Sequence, residues 1–152
     1  MATAPQNAYC LPMRVPLTII DHIRRAELLY ADRIAVVDEP DQPAQSWGSL
    51  TYRQVAERAR AQAAGLDALG IGVGERVAMV SHNSARLLTA FFGVSGSGRI
   101  LVPVNFRLVA EEVKYIVKHS GARVLLIDPE LEEAMESAWI GIQRAQVITG
   151  MS

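Results

Sequence analysis

Apolar residues recur in two different periods along this chain, and the two periods alternate. Short runs that are almost wholly apolar indicate buried strands, at residues 34–37, 76–80, 100–104, 124–127 and 146–149. Apolar residues at steps of three and four indicate helices, at residues 17–30, 51–69 and 110–120, at a segment that starts after Asn83 or Ser84, and briefly at 130–137. Strands that are apolar on both faces and alternate with helices predict an α/β fold, with a parallel or mostly parallel sheet flanked by helices.

Local signals predict where two of the helices begin and end. Thr51 and Gln54 have the spacing of a capping box, and Gly70 has the position of a left-handed helix end. The helix at 110–120 has acidic residues in its first turn and Gly121 after its last, but Val109 occupies its cap. Valine has no oxygen to accept an amide hydrogen bond, so this helix should begin without side-chain capping.

The apolar stripes predict which helix faces point inward. The first helix places Ile19, Ile20, Ile23, Leu28 and Leu29 on one face, and the helix after Ser84 carries Leu87, Leu88, Phe91, Phe92 and Ser95. The polar, turn-rich segment 38–49 is typical of a loop or an open hairpin.

Composition excludes several classes of function. The chain has 152 residues, which fits one domain, and a formal net charge of −1, which disfavours nucleic acid as a partner. Glycines, Pro103 and Arg99 interrupt the most apolar window, 87–106, so no membrane span is expected.

A single cysteine, Cys10, favours a cytoplasmic location. Residues 1–15 are interpreted as a leader before the domain.

Two glycine clusters invite a nucleotide-binding interpretation, and both are better explained structurally. Gly70, Gly72 and Gly74 follow a helix and precede a strand, whereas a dinucleotide loop follows a strand and opens a helix. The segment 93–99 has the same wrong order and contains no lysine, so its small residues indicate close packing of a helix against the sheet.

Titratable residues give no catalytic pattern. The hydroxyl, acid and histidine residues form no triad, and Cys10 and the three histidines lack the spacing of a metal site. His82 alone follows a strand at the end where open sheets bind ligands, although a surface side chain is expected there. The chain is therefore assigned no catalytic, no cofactor-binding and no metal-binding residue.

An ordered set of motifs resembles the adenylate-forming, AMP-binding enzymes, and among them the fatty-acid–CoA ligases (acyl-CoA synthetases). Residues 50–55 (LTYRQV) and 94–105 (VSGSGRILVPVN) look like the first and second core motifs of that family. Residues 74–78 (GERVA) are similar to its usual strand entry. The pieces FRL, EE and SGA then follow in the expected order, at 106–108, 111–112 and 120–122.

The resemblance implies a partial N-terminal subdomain of the adenylate-forming fold, over residues 16–152, without the C-terminal lid domain. Complete family enzymes join a carboxylate to AMP using ATP and Mg²⁺ and then transfer the acyl group to coenzyme A. Their phosphate loop, ribose-binding aspartate and lid lysine have no counterpart in this sequence. No cofactor is therefore expected in this chain, and whether it is an enzyme by itself is left undecided.

Three interpretations stay open. The chain is the N-terminal portion of a ligase and inactive alone, or one chain of a split ligase that a second polypeptide completes, or a stand-alone α/β interaction or small nucleotide-binding module. The expected partners are the remainder of the ligase, or a second copy through exposed apolar surface. The acyl chain length, the oligomeric state and the origin of the truncation are not predicted.

Overall fold

Four parallel strands form the central sheet of the computed structural model, which describes residues 18–43, 45–136 and 146–149. These strands are β3 (Arg76–Ser81), β4 (Ile100–Asn105), β5 (Val124–Ile127) and β6 (Gln146–Thr149), in the order β4-β3-β5-β6. A two-stranded antiparallel ribbon, β1 (Ile34–Val37) and β2 (Ser49–Thr51), lies apart from this sheet. The mostly parallel sheet is thus confirmed, and the turn-rich segment 38–49 connects a hairpin.

Helices cover both faces of the sheet, as the strand pattern predicts. The helices are α1 (Ile19–Tyr30), α2 (Tyr52–Ala68), α3 (Ala85–Gly93) and α4 (Ala110–Ser120). On one face, Val77 and Met79 of β3 pack with Leu66 of α2 and Ala90 of α3. On the opposite face, the alternate strand residues pack with α4, in a cluster that includes Ala78, Val80, Leu125, Val113 and Val117.

The predicted capping signals are present at α2 and α4. Thr51 Oγ1 accepts from the Gln54 amide at 3.3 Å, and Gln54 Oε1 accepts from the Thr51 amide at 2.8 Å. Gly70 and Gly121 both have φ near +70°, at 70° and 67° respectively, which is the left-handed geometry of a helix end. Val109 provides no side-chain cap, and only Glu112 reaches back, to the Val109 amide at 3.1 Å.

The large apolar residues of α3 are divided between the core and the surface. Leu87 and Phe92 are partly buried and pack against the core clusters, whereas Leu88 and Phe91 are exposed. Small and polar side chains form the fully buried face of α3: Ala85, Arg86, Thr89, Ala90 and Gly93. Gly93 explains the difference, because a Cβ placed there would lie 2.9 Å from the Ala59 carbonyl oxygen of α2. The small residues of segment 93–99 therefore allow close packing against helices and not against the sheet.

Two further elements differ in detail from what the sequence predicts. In α1, Leu28 and Leu29 are exposed and only Ile23 is fully buried, with Ile20 packed beside it. After β5, the short helix expected at 130–137 has the form of two 3₁₀ turns, Pro129–Leu131 and Glu133–Met135, and residue 137 lies outside the described residues. The interpretation of residues 1–15 as a leader also falls outside the described residues.

None of the helices in the described ranges is long and apolar enough to cross a bilayer. The window 87–106 contains α3, a 3₁₀ turn at Ser95–Ser97 and β4, so its apolar residues belong to three short elements.

Candidate functional site

Asp128 lies at the centre of a polar cluster at the carboxyl ends of β3 and β5. The two strands are hydrogen-bonded neighbours, and the Asp128 amide continues their ladder by donating to the Val80 carbonyl at 3.1 Å. Its carboxylate accepts from Ser81 Oγ at 2.7 Å and from the His82 amide at 2.9 Å, and the residue is 2% exposed. A buried carboxylate needs such donors, because burial without them carries a large desolvation cost.

Arg86 supplies the positive charge that faces Asp128. It projects from the first turn of α3, and its Nη1 lies 3.7 Å from Asp128 Oδ1 and 3.3 Å from Glu130 Oε2. Burial acts to raise the pKa of Glu130, but the Gln45 amide, donating at 2.6 Å, its own amide and Arg86 together hold that pKa below its usual value. The cluster is therefore an ion network of one cation and two carboxylates.

His82 is brought to this cluster, but its ring is not the exposed side chain that the sequence suggested. The imidazole is 12% exposed and packs on Phe106, with ring centroids 4.5 Å apart. Its Nδ1 lies 3.8 Å from Asp128 Oδ2, which is beyond hydrogen-bond length. Because the Ser81 hydroxyl donates to Asp128 and to no imidazole, the three residues do not form a nucleophile–base pair.

A second buried carboxylate, Asp38, was not singled out from the sequence. Its Oδ1 accepts from the Ala85 amide and its Oδ2 from the Trp47 amide, both at 2.9 Å. Asp38 thus caps α3 from the end of β1, in place of the neighbouring Ser84, whose hydroxyl makes no cap bond. No spacing rule could have found it, since Asp38 and Ala85 are 47 residues apart.

Beside the ion network, a cavity of about 510 Å³ opens between α2 and the sheet. Its apolar wall includes Leu66, Leu69, Met79 and Leu126, and its polar side includes Trp47, Arg58, Gln62, Arg86 and Thr89. The guanidinium of Arg58 lies 4.2 Å from the centre of the Trp47 ring, a cation–π contact. The cavity can therefore accept an apolar group with a polar group beside it.

The two glycine clusters lie away from this cavity wall and are occupied by structural contacts. Gly74 has φ of 79° and donates its amide to the Gly98 carbonyl at 2.9 Å, which ties the two clusters together. Arg99, the cation of the second cluster, is buried and donates to the Ile71 carbonyl and to Asp67. Across the described ranges, no three Asp, Glu, His or Cys side chains lie close enough together to hold a metal ion.

A model of one enzyme family matches most of the chain. The AMP-binding enzyme model aligns with residues 23–149, so the chain belongs to the AMP-binding enzyme family. The fold described above is that of the N-terminal subdomain of these adenylate-forming enzymes.

Individual relatives and a solved structure that match this chain are CoA ligases. A long-chain-fatty-acid–CoA ligase of Thermus thermophilus is 46% identical over 87 residues, which cover 57% of this chain and 16% of the relative. A 4-hydroxybutyrate–CoA ligase of Metallosphaera sedula is 31% identical over 121 residues, 79% of this chain and 21% of the relative. The structure of a benzoate CoA ligase from Burkholderia xenovorans superposes with a TM-score of 0.78 at 27% identity, over 89% of this chain and 26% of that chain.

The chain therefore spans about a fifth or less of the length of these two curated relatives. Both relatives are acid–CoA ligases, and only the segment of each that corresponds to this sheet and its helices is matched.

Proposed function

We propose that this chain provides the N-terminal portion of a fatty-acid–CoA ligase and that the chain has no ligase activity by itself. The observation that carries the proposal is the family match over residues 23–149 to relatives of which this chain covers only 16% and 21%. The complete reaction joins a fatty carboxylate to the α-phosphorus of ATP with release of pyrophosphate. The acyl group then passes to the coenzyme A thiol with release of AMP.

The described side chains do not fit an ATP–Mg²⁺ site. The buried carboxylates Asp38 and Asp128 are filled by amide and hydroxyl donors, and Asp128 also faces Arg86. Arg99 is committed to Asp67 and a carbonyl. Electrostatic preorganisation usually supplies the largest share of an enzyme's rate, and the polar atoms of Asp38, Asp128 and Arg99 are already engaged within the fold. We therefore place the binding of ATP, Mg²⁺ and coenzyme A in residues of the complete ligase outside this chain.

The partner in this proposal is the remainder of a ligase, joined to the same polypeptide or carried by a second one. Several large apolar side chains remain exposed, which supports a covering partner: Leu28, Leu29, Ile34, Val37 and Val73. The location proposed for the complete enzyme is cytoplasmic, which the single cysteine of the chain supports.

An exchange assay tests the proposal directly. The 152-residue chain would be purified alone, and also after co-expression with the part of the Thermus thermophilus ligase that lies beyond the matched segment. Fatty-acid-dependent ATP–pyrophosphate exchange is expected only for the co-expressed pair, and calorimetry should detect no micromolar binding of Mg-ATP to the chain alone. Exchange by the chain alone above the background of a mock purification would overturn the proposal. Failure of the pair to associate or to give exchange would count in favour of a stand-alone module.

A further inference from the structure

A groove of about 180 Å³ follows the contact between α1 and α2 and shares no lining residue with the cavity beside the ion network. Its apolar lining comes from α1, α2 and α3: Ile20, Ile23, Ala56, Ala59, Ala63 and Phe92. None of the side chains in the described ranges fills this groove. Because burial of apolar surface is favourable, such a lining favours an occupant with apolar side chains.

The direction of α1 and α2 shows where the groove begins. Glu27 of α1 pairs with Arg60 of α2. Asp32, which follows α1, pairs with Arg53, which precedes Arg60 in α2, so the two helices run in opposite directions. One end of the groove therefore lies at Ile20, in the first turn of α1, where the preceding part of the chain enters the helix.

The segment that enters α1 has the sequence pattern of an extended strip with one apolar side. In residues 11–17 (LPMRVPL), the odd positions are leucine, methionine, valine and leucine, and the even positions are proline, arginine and proline. Successive side chains of an extended chain point to opposite sides, so this alternation predicts four apolar side chains on one side. The prolines favour extended geometry for the residues before them. The apolar side of the strip carries no charge, which matches the apolar lining of the groove.

The length of this segment is sufficient for the groove. An extended chain from Leu11 to Thr18 spans roughly 23 Å, at about 3.3 Å per residue. The groove follows α1 from Ile20 to Glu27, which is roughly 10 Å at about 1.5 Å per residue. A segment that is joined to α1 is also present at a high effective concentration, which favours it over a separate molecule.

We propose that residues 11–17 of this chain dock in the groove, with their apolar side against α1 and α2. Residues 11–15 then belong to the domain and not to a leader. Since α1, α2 and α3 alone form the groove, docking is expected with or without the remainder of a ligase.

Cys10 allows the docking to be measured in the full chain. It is the single cysteine, and its even position places it on the side of the strip opposite to the apolar side chains, so a nitroxide label there leaves the contact free. The label should lie near the far end of the groove. Amide signals of Glu27 and Arg60 should therefore lose most of their intensity in nuclear magnetic resonance spectra. Signals of α4, which packs on the opposite face of the sheet, should keep theirs.

Two pairs of variants separate docking from chance proximity. Met13→Ser changes the apolar side of the strip and should restore the signals of α1 and α2, whereas Arg14→Ser changes the other side and should leave them weakened. Ala63→Trp should fill the groove and also restore the signals. Ala64→Trp is its matched control, because Ala64 is exposed on the same helix and does not line the groove.

Equal loss of signal in α1, α2 and α4 would overturn the docking site. Loss that persists in Met13→Ser would overturn it as well, because the apolar side would then not make the contact. A mixture of labelled chain and unlabelled, isotope-enriched chain tests whether the segment comes from a second copy. No loss is expected in the enriched chain of this mixture. Loss there as large as within one chain would show that the groove holds the segment of another molecule, and docking within the chain would be wrong.

Discussion

Val109 begins α4 without the side-chain oxygen that usually caps a helix. Its backbone is extended, with φ of −76° and ψ of 157°, and Glu112 already bonds back to its amide. We expect Val109→Thr to complete the reciprocal box and to raise the free energy of unfolding by about 1 kcal/mol. Valine is 64% exposed here, so little apolar burial is lost. Urea denaturation of both proteins measures the change, and an unchanged or lower midpoint would contradict it.

At the residue scale, the sequence predicted caps and not the buried carboxylates. Thr51 and Gln54 were identified from a spacing of three residues, because both partners of a capping box lie in one turn. Asp38 and Asp128 bond to Ala85 and Ser81 across 47 residues each. Such pairs exist only once the sheet has formed, so no local pattern encodes them. Because His82 follows a strand, the sequence placed it at the correct edge of the sheet. It did not predict that the His82 ring packs on Phe106.

At the element scale, the sequence predicted the positions of the strands and helices well, but it did not predict which residues of α3 form its buried face. Segments 110–120, 124–127 and 146–149 match α4, β5 and β6 in both bounds. In α3, Leu87 and Phe92 pack partly inward, but Leu88 and Phe91 are exposed. Ala85, Thr89 and Gly93 form a row at four-residue steps against α2, and close helix approach selects small residues over Leu88 and Phe91.

The close approach of α2 and α3 makes Gly93 a sensitive position. A Cβ there would lie 2.2 Å from Gln62 Oε1 and 2.9 Å from the Ala59 carbonyl oxygen, so the helices must separate. We expect Gly93→Ala to destabilise the chain by about 1–3 kcal/mol, as overpacking does. Gly65→Ala is the matched control, because it is helical with open space around it, and it should stabilise by about 0.5–1 kcal/mol. Thermal unfolding of both variants distinguishes them, and equal midpoints would refute the packing model.

The contact between α1 and α2 should respond to acid. Arg60 Nη1 and Nη2 donate to the two oxygens of the Glu27 carboxylate, at 2.8 and 2.9 Å. These hydrogen bonds lower the pKa of the Glu27 carboxyl below its ordinary value. Burial opposes this effect, and the charge of Arg60 adds to it. A carboxyl with a lowered folded-state pKa stabilises the fold above its unfolded-state pKa, and that contribution is lost as the pH falls through the folded-state value.

We expect Glu27→Gln to lower the free energy of unfolding by about 0.2–1 kcal/mol near neutral pH, the range for partly exposed ion pairs. The difference between variant and parent should shrink as the pH falls through the lowered folded-state pKa of Glu27. Urea midpoints measured over a pH series test this expectation. Asp32→Asn is the control, because the Asp32 carboxylate, which pairs with Arg53, is far more exposed than the Glu27 carboxylate. A difference for Glu27→Gln that persists at low pH would show that the carboxylate charge is not its cause.

At the scale of the whole molecule, the family could be predicted because its motifs are short and ordered. Residues 50–55 build the start of α2, and residues 94–105 build the turn before β4 and β4 itself. Each motif encodes a local structure, and their order encodes the topology. The cavity could not be predicted in the same way, because Trp47, Gln62, Arg86 and Leu126 reach it from four different elements or connections.

The last prediction concerns the surface of the isolated chain. Leu28, Val37 and Val73 are 83%, 69% and 80% exposed, and a net charge of −1 gives little repulsion between molecules. We expect the purified chain to self-associate and to bind a hydrophobic dye at neutral pH, because burial of apolar surface is favourable by roughly 25 cal/mol per Å².

Sedimentation velocity over a concentration series and dye fluorescence measure these two properties. Leu28→Gln combined with Val37→Thr should lower both signals, whereas Glu57→Gln, an exposed polar change on α2, should leave them unchanged apart from a small charge effect. Covering by the co-expressed ligase remainder should lower dye binding further, since the proposed partner would occupy apolar surface. A stable monomer that binds no dye would mean that the chain leaves no apolar patch open to association. The stand-alone module would then become the better interpretation.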